Sequence, residues 1–112
     1  MSERAQQKSG TVLVPLAEGF EEIEAVTIVD VLRRAGLEVT LAGLEPGSVK
    51  GSHGIAVTPD AHLGALDASS FTMVVLPGGM RGTRHLVEDE RVLSLVRRLS
   101  SEGRRTAAIC AA

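Results

Sequence analysis

"TVLVPLAEGFEEIEAVTIVDVLRRAG", residues 11–36, decides the fold. Its first seven residues form a short apolar run rich in β-branched side chains, bounded by Gly19, which reads as a buried strand and a turn. The period then changes. From Glu21 to Ala35 acids fill the first turn and arginines the last, and Gly36 ends the pattern, so both ends match the sign of a helix dipole. A strand passing through a glycine turn into a helix is the opening unit of a parallel sheet.

Outward from that unit the same alternation continues. "LEVTLAGLE" (37–45) is a second strand, and "VKGSHGIAVTPDAHLG" (49–64) reads as a short hairpin. "ALDASSF" is a connector of one or two helical turns. "TMVVLPGG" (72–79) is a buried strand stopped by Pro77 and two glycines. "ERVLSLVRRLSSEG" (90–103) is an amphipathic helix with Val92, Leu95, Val96 and Leu99 on one face, and "TAAIC" is the next strand. This order predicts an α/β fold with a parallel sheet and helices on both faces, preceded by a polar leader at residues 1–10. In such sheets function sits at the carboxyl ends of the strands, here "AEGFEE", "PGGMRG" and "CAA".

Composition narrows the partners. The 112 residues are 44% hydrophobic with a net charge of −2, enough for one small core and one domain at most. Two phenylalanines and twelve basic against fourteen acidic residues offer neither stacking platforms nor excess positive charge, so no nucleic acid is expected. The leader lacks an apolar core and no apolar run approaches the ~18 residues of a membrane span, so the expectation is a cytoplasmic protein without a membrane partner.

The three strand ends carry the chemistry. Cys110, the lone cysteine, follows a buried strand and precedes alanines: the outline of a nucleophile elbow, or else a plain core thiol. Gly78 and Gly79 let backbone amides approach a bound group or act as oxyanion donors, or simply form a turn. Met80 stands where a dinucleotide fingerprint needs its second glycine, and no Lys-Ser/Thr pair forms a phosphate loop, so no cofactor is expected. At 100° steps Ile28, Val31, Leu32 and Ala35 form the core stripe of the first helix, and Glu24 lies on its upstream extension. Glu21 falls near the same stripe, so periodicity does not choose between them, whereas Glu22 falls well away, beside the line of Arg33. An inward carboxyl in apolar surroundings tends to hold its proton and could donate it in a hydrogen bond to a thiolate. Ile23 and Val26 form an apolar patch on the opposite side, which suggests a homodimer interface. His53, His62 and His85 lack helical pairing or cysteine neighbours, so no metal site is expected and hairpin or surface positions are.

Together "LAEGFEEIEAV", "RRAGLEVTLAGL", "VVLPGG" and "AAICAA" closely resemble the DJ-1/ThiJ/PfpI superfamily, in particular its DJ-1 and bacterial YajL branch, in order from residue 11 to 112. The resemblance implies a flavodoxin-like three-layer sandwich with a mostly parallel sheet, of which this chain is the N-terminal portion, and a homodimer. It implies a reactive cysteine carried by Cys110, a buried glutamate falling on Glu24 that hydrogen-bonds the thiolate, and amides of Gly78 and Gly79 nearby, with Ala111 joining them around an oxyanion. The implied activity is that of a cysteine-dependent glyoxalase or deglycase acting on methylglyoxal or related 2-oxoaldehyde adducts. The alternatives are an oxidative-stress sensor or chaperone working through a Cys110 sulfinate, and an intracellular protease or amidase of the PfpI type. Two departures stand out. Gly51 and Thr58 occupy hairpin positions where some relatives carry accessory thiols, and His53, at the edge of the site, stands where an arginine is often found. The family also continues for roughly another half-length, usually with a histidine near the cysteine, so the remainder of the domain, in the same or a separate chain, is expected to complete the site.

Overall fold

Alternate residues of the first strand, β1 (Thr11–Leu16), face opposite layers, and nearly all of them are buried. The computed structural model describes residues 10–103 and 105–108. After β1 come α1 (Glu22–Arg34), β2 (Glu38–Gly43), β3 (Val49–Lys50), β4 (Ala56–Val57), β5 (Ala61–His62), β6 (Met73–Leu76), α2 (Met80–Glu88), α3 (Glu90–Ser101) and β7 (Arg105–Ala108), with two short 3-10 turns before β6. One sheet runs in the order β5-β2-β1-β6-β7 with every pairing parallel. Val12 and Val14 join Val39 and Val75 on one face, against Ile28, Val29 and Leu32 of α1. Leu13 points the other way and packs with Ala42 and Val74 against Leu95 and Leu99 of α3. A strand covered on both faces has no solvent side to keep polar, which is why β1 reads as a continuous apolar run. The result is the three-layer, flavodoxin-like α/β sandwich that the sequence predicts.

Three local expectations change. The antiparallel hairpin is only β3 with β4, while Ala61–His62 leaves it and joins the main sheet parallel to β2. Asp60 directs that exit: its carboxylate accepts the Leu41 amide and the Arg33 guanidinium, both at 2.8 Å, and its own amide donates to the Leu41 carbonyl. Residues 80–88, for which the sequence predicts no element, form the helix α2. The core stripe of α1 is also rotated: Val31 is 53% exposed and Ala35 is exposed, and the inward residues are Ala25, Ile28, Val29 and Leu32. Both stripes contain Ile28 and Leu32 and fit the helical period equally well; contact with the sheet selects the second.

Candidate functional site at the carboxyl ends of β1 and β6

β1 pairs with β2 on one side and β6 on the other, so the chain reverses its direction of sheet growth between β1 and β6. Crevices in open parallel sheets lie at such a switch. Here two loops meet: residues 17–21 after β1, and Pro77–Gly79 after β6. The Glu21 amide donates to the Gly78 carbonyl at 3.0 Å, and the Gly82 amide donates to the Gly19 carbonyl at 3.3 Å. The approach is too close for a side chain. A Cβ on Gly79 would lie 2.7 Å from the Glu21 nitrogen and the Gly19 oxygen, and Gly79 has φ = 106°, which glycine adopts without strain.

Glu24, one turn into α1, reaches back to this junction. Its Oε1 accepts the Gly78 amide at 3.1 Å, and the side chain is half-buried. Two residues singled out separately in the sequence are therefore bonded to each other. The same bond occupies the Gly78 N–H, so in this arrangement that group serves the carboxyl rather than a substrate.

The second acid at this helix end, Glu22, is buried against expectation. Glu22 is 6% exposed, although the stripe expected from the sequence turns it away from the core; the stripe the sheet selects, through Ala25 and Val29, brings it nearer. The sheet does not bury it; the hairpin tip between β3 and β4 does. Glu22 Oε2 accepts the amides of His53 at 2.7 Å and Ile55 at 3.2 Å, while Oε1 lies 2.9 Å from His53 Nδ1 and 3.4 Å from Ser52 Oγ. Burial pushes the Glu22 carboxyl upward, but hydrogen bonds from the His53 side chain and from the backbone outweigh it and hold the group at about 2. His53 is shifted upward by its hydrogen bond to Glu22 and by the charges of Glu21 and Glu22. The signal for this contact in the sequence is Gly51. Its missing side chain leaves the space that the Glu22 carboxylate fills.

The loop after β1 is thus held from both sides. The Gly19 amide donates to the Lys50 carbonyl at 2.9 Å and the Ser52 amide to the Phe20 carbonyl at 2.8 Å, while Gly78 grips Glu21 and Glu24 opposite. Ile23 and Val26, 77% and 53% exposed, lie on the outer side of α1. His62 is half-buried on β5 and His85 is exposed on α2. Cys110 and Ala111 lie outside the described residues. β7 runs beside β6, with Ala108 paired to Leu76.

A central parallel sheet, a switch point between β1 and β6, and a helix-borne carboxyl fastened to a glycine loop define an α/β protein with a candidate site at the carboxyl ends of β1 and β6. Comparison with known proteins gives the family. The DJ-1/PfpI family model matches residues 10–112, and the chain belongs to that family. Protein dj-1beta of Drosophila melanogaster is 46% identical over 105 residues, which are 93% of this chain and 56% of that protein. The protein named deglycase PH1704 from Pyrococcus horikoshii is 34% identical over 99 residues, 88% of this chain and 59% of that protein. Among solved structures, Drosophila melanogaster DJ-1beta superposes with a TM-score of 0.86 at 47% identity, over 90% of this chain and 55% of that one. Oxidized Toxoplasma gondii DJ-1 superposes with a TM-score of 0.86 at 38% identity, again over 90% and 55%. The chain spans about half the length of these relatives. No described helix is long and apolar enough to cross a membrane.

Proposed function

We propose that this chain carries the first half of the catalytic centre of a cysteine-dependent glyoxalase or deglycase, with Cys110 as nucleophile and Glu24 as its carboxyl partner. The observation that carries the reading is the hydrogen bond from the Gly78 amide to Glu24 Oε1, at the carboxyl ends of two adjacent parallel strands. With one oxygen engaged by the Gly78 amide, the other oxygen of Glu24 is left to meet the thiol. Register supports the partner: Ala108 pairs with Leu76, and Cys110 follows Ala108 at the same two-residue spacing by which Gly78 follows Leu76. The relative named as a deglycase supports the reaction class.

In this mechanism the Cys110 thiolate adds to the aldehyde carbon of methylglyoxal, and the resulting alkoxide takes a proton to give a hemithioacetal. The hydrogen on that carbon then leaves as a proton and returns to the neighbouring carbon through an enediol, with Glu24 as the shuttle, which leaves a lactyl thioester. Water hydrolyses the thioester, releasing lactate and the thiol. The oxidation of one carbon and the reduction of the next balance, so no cofactor is required. Since Glu24 takes up the Gly78 N–H, the amides of Gly79 and Ala111 are the donors for the oxyanion. The remainder of the domain, expected in the same or a separate chain, completes this centre. A reducing, cytoplasmic address suits a single working thiol, and pairing through Ile23 and Val26 into a homodimer suits their exposure.

A second reading has one observation in its favour: a solved relative is described as oxidized. In a sensor, two molecules of hydrogen peroxide convert the Cys110 thiolate to a sulfinate with release of two waters, and the Glu24 acid hydrogen-bonds the product. One experiment separates the two. Purified protein is incubated with methylglyoxal and lactate is measured, for the native sequence, Cys110→Ser and Glu24→Gln. The enzyme reading expects turnover that Cys110→Ser abolishes and Glu24→Gln lowers by roughly 10²-fold or more. No turnover, with prompt oxidation of Cys110 by dilute peroxide, overturns it in favour of the sensor.

A further inference from the structure

Four donor atoms converge where the β3–β4 hairpin tip meets the start of α1. Around His53 Nδ1 lie Glu22 Oε1 at 2.9 Å, Ser52 Oγ at 3.1 Å and Glu21 Oε1 at 3.3 Å. Glu22 Oε1 and Ser52 Oγ are 3.4 Å apart. One ligand atom from each of Glu21, Glu22 and His53 falls within 4.8 Å of the other two. In a tetrahedral site with bonds of 2.0–2.1 Å, neighbouring donors are separated by about 3.3 Å. The two carboxylate oxygens stand at that scale from His53 Nδ1, and the three ligand atoms together fall within 4.8 Å.

The donors are also held in place. The second oxygen of Glu22 is bound by the His53 and Ile55 amides, which fixes the plane of the carboxylate and aims Oε1 at the imidazole. Metal-binding carboxylates carry such outer hydrogen bonds, and these orient them. Glu22 is buried whereas the His53 side chain is 69% exposed, so an ion can enter from solvent and retain water at its open side. The positive end of the α1 dipole works against a cation here, and the two carboxylates offset it.

We propose that Glu21, Glu22 and His53 form a divalent transition-metal site, matched best to Zn²⁺, that bridges the hairpin tip and α1. One imidazole with two carboxylates suits Zn²⁺, Co²⁺ or Cu²⁺, lacks the thiolates that Cu⁺ prefers, and has too few oxygens for Ca²⁺. Sequence spacing hides the site, because His53 lies about thirty residues from the acids and no helical repeat links them. The site is independent of Cys110 and does not rest on the glyoxalase reading.

The test is isothermal titration of the purified protein with Zn²⁺, joined to electron paramagnetic resonance of the protein loaded with Cu²⁺. The expected result is one saturable site per chain, with hyperfine coupling to a single nitrogen. Cys110→Ser keeps it, while His53→Arg and Glu21→Gln each weaken it roughly tenfold or more. Glu21→Gln is the folding control, since its carboxylate bonds no backbone group among the described residues and far-UV circular dichroism should not change. Binding that survives both substitutions, that disappears in Cys110→Ser, or that never saturates overturns the proposal.

Discussion

At the residue scale the chain turns on two glutamates separated by one position. Glu24 was legible only through the family resemblance, since periodicity left Glu21 equally eligible and the stripe that Glu24 extends is not the one the sheet selects. Glu22 was not, because the expected stripe through Val31 and Ala35 points away from it, and the groups that bury it lie about thirty residues on, in the hairpin. Gly51 is the residue that makes the difference. A Cβ there would fall on the Glu22 carboxylate carbon. Gly51→Ala should therefore displace the carboxylate and strip the His53 and Ile55 amides of their acceptor, at a cost of about 1–3 kcal/mol in urea unfolding. The cost should largely vanish when the same substitution is made on a Glu22→Ala background. A Gly51→Ala protein as stable as the native one, or additive effects in the double variant, would contradict the contact.

At the element scale the strong alternations were readable and the weakly apolar pieces were not. α1, α3 and the strands β1, β2 and β6 follow from period and from glycine stops. α2 does not, since "MRGTRHLVE" offers only Leu86 as a deeply buried aliphatic anchor and follows two glycines that read as loop. β5 is invisible for another reason: the Asp60 side chain secures its docking, and side-chain bonds of this kind leave no periodic trace. For α3 the starting signal is Asp89, whose carboxylate accepts the Arg91 amide at 2.9 Å and pairs with the Arg91 side chain. Asp89→Ala should cost about 1 kcal/mol as a lost helix cap. The Arg91 side-chain hydrogen bond holds the Asp89 carboxyl below its ordinary value. A depressed folded value means that this contribution is complete above the ordinary aspartate range and fades as pH falls through the folded value. The stability gap between native protein and Asp89→Ala, measured by urea unfolding across that range, should therefore narrow on acidification. A gap that is constant or widens there would show that the charge on Asp89 is not what the cap uses.

At the scale of the whole molecule, an apolar pair at 77% and 53% exposure on the outer side of α1 needs a cover. If that cover is a second copy, light scattering should find a dimer, and Ile23→Asp should give a folded monomer with unchanged far-UV circular dichroism. A dimer that persists in Ile23→Asp puts the interface elsewhere. The sheet order has a further consequence, in time rather than space. β1 lies at the centre, beside β2 about thirty residues later and β6 about sixty residues later; the Thr72 side chain closing onto the Thr11 carbonyl spans 61 positions. During synthesis at ~5–20 residues per second, the segment that fills the β6 position emerges roughly 3–12 s after β1. During that interval Val12 and Val14 belong to a nascent chain in which β1 has no neighbour until β2 emerges, and then one edge still open until β6 does. That open edge is an aggregation hazard during synthesis, one that a holding chaperone bound to the β1 segment would relieve.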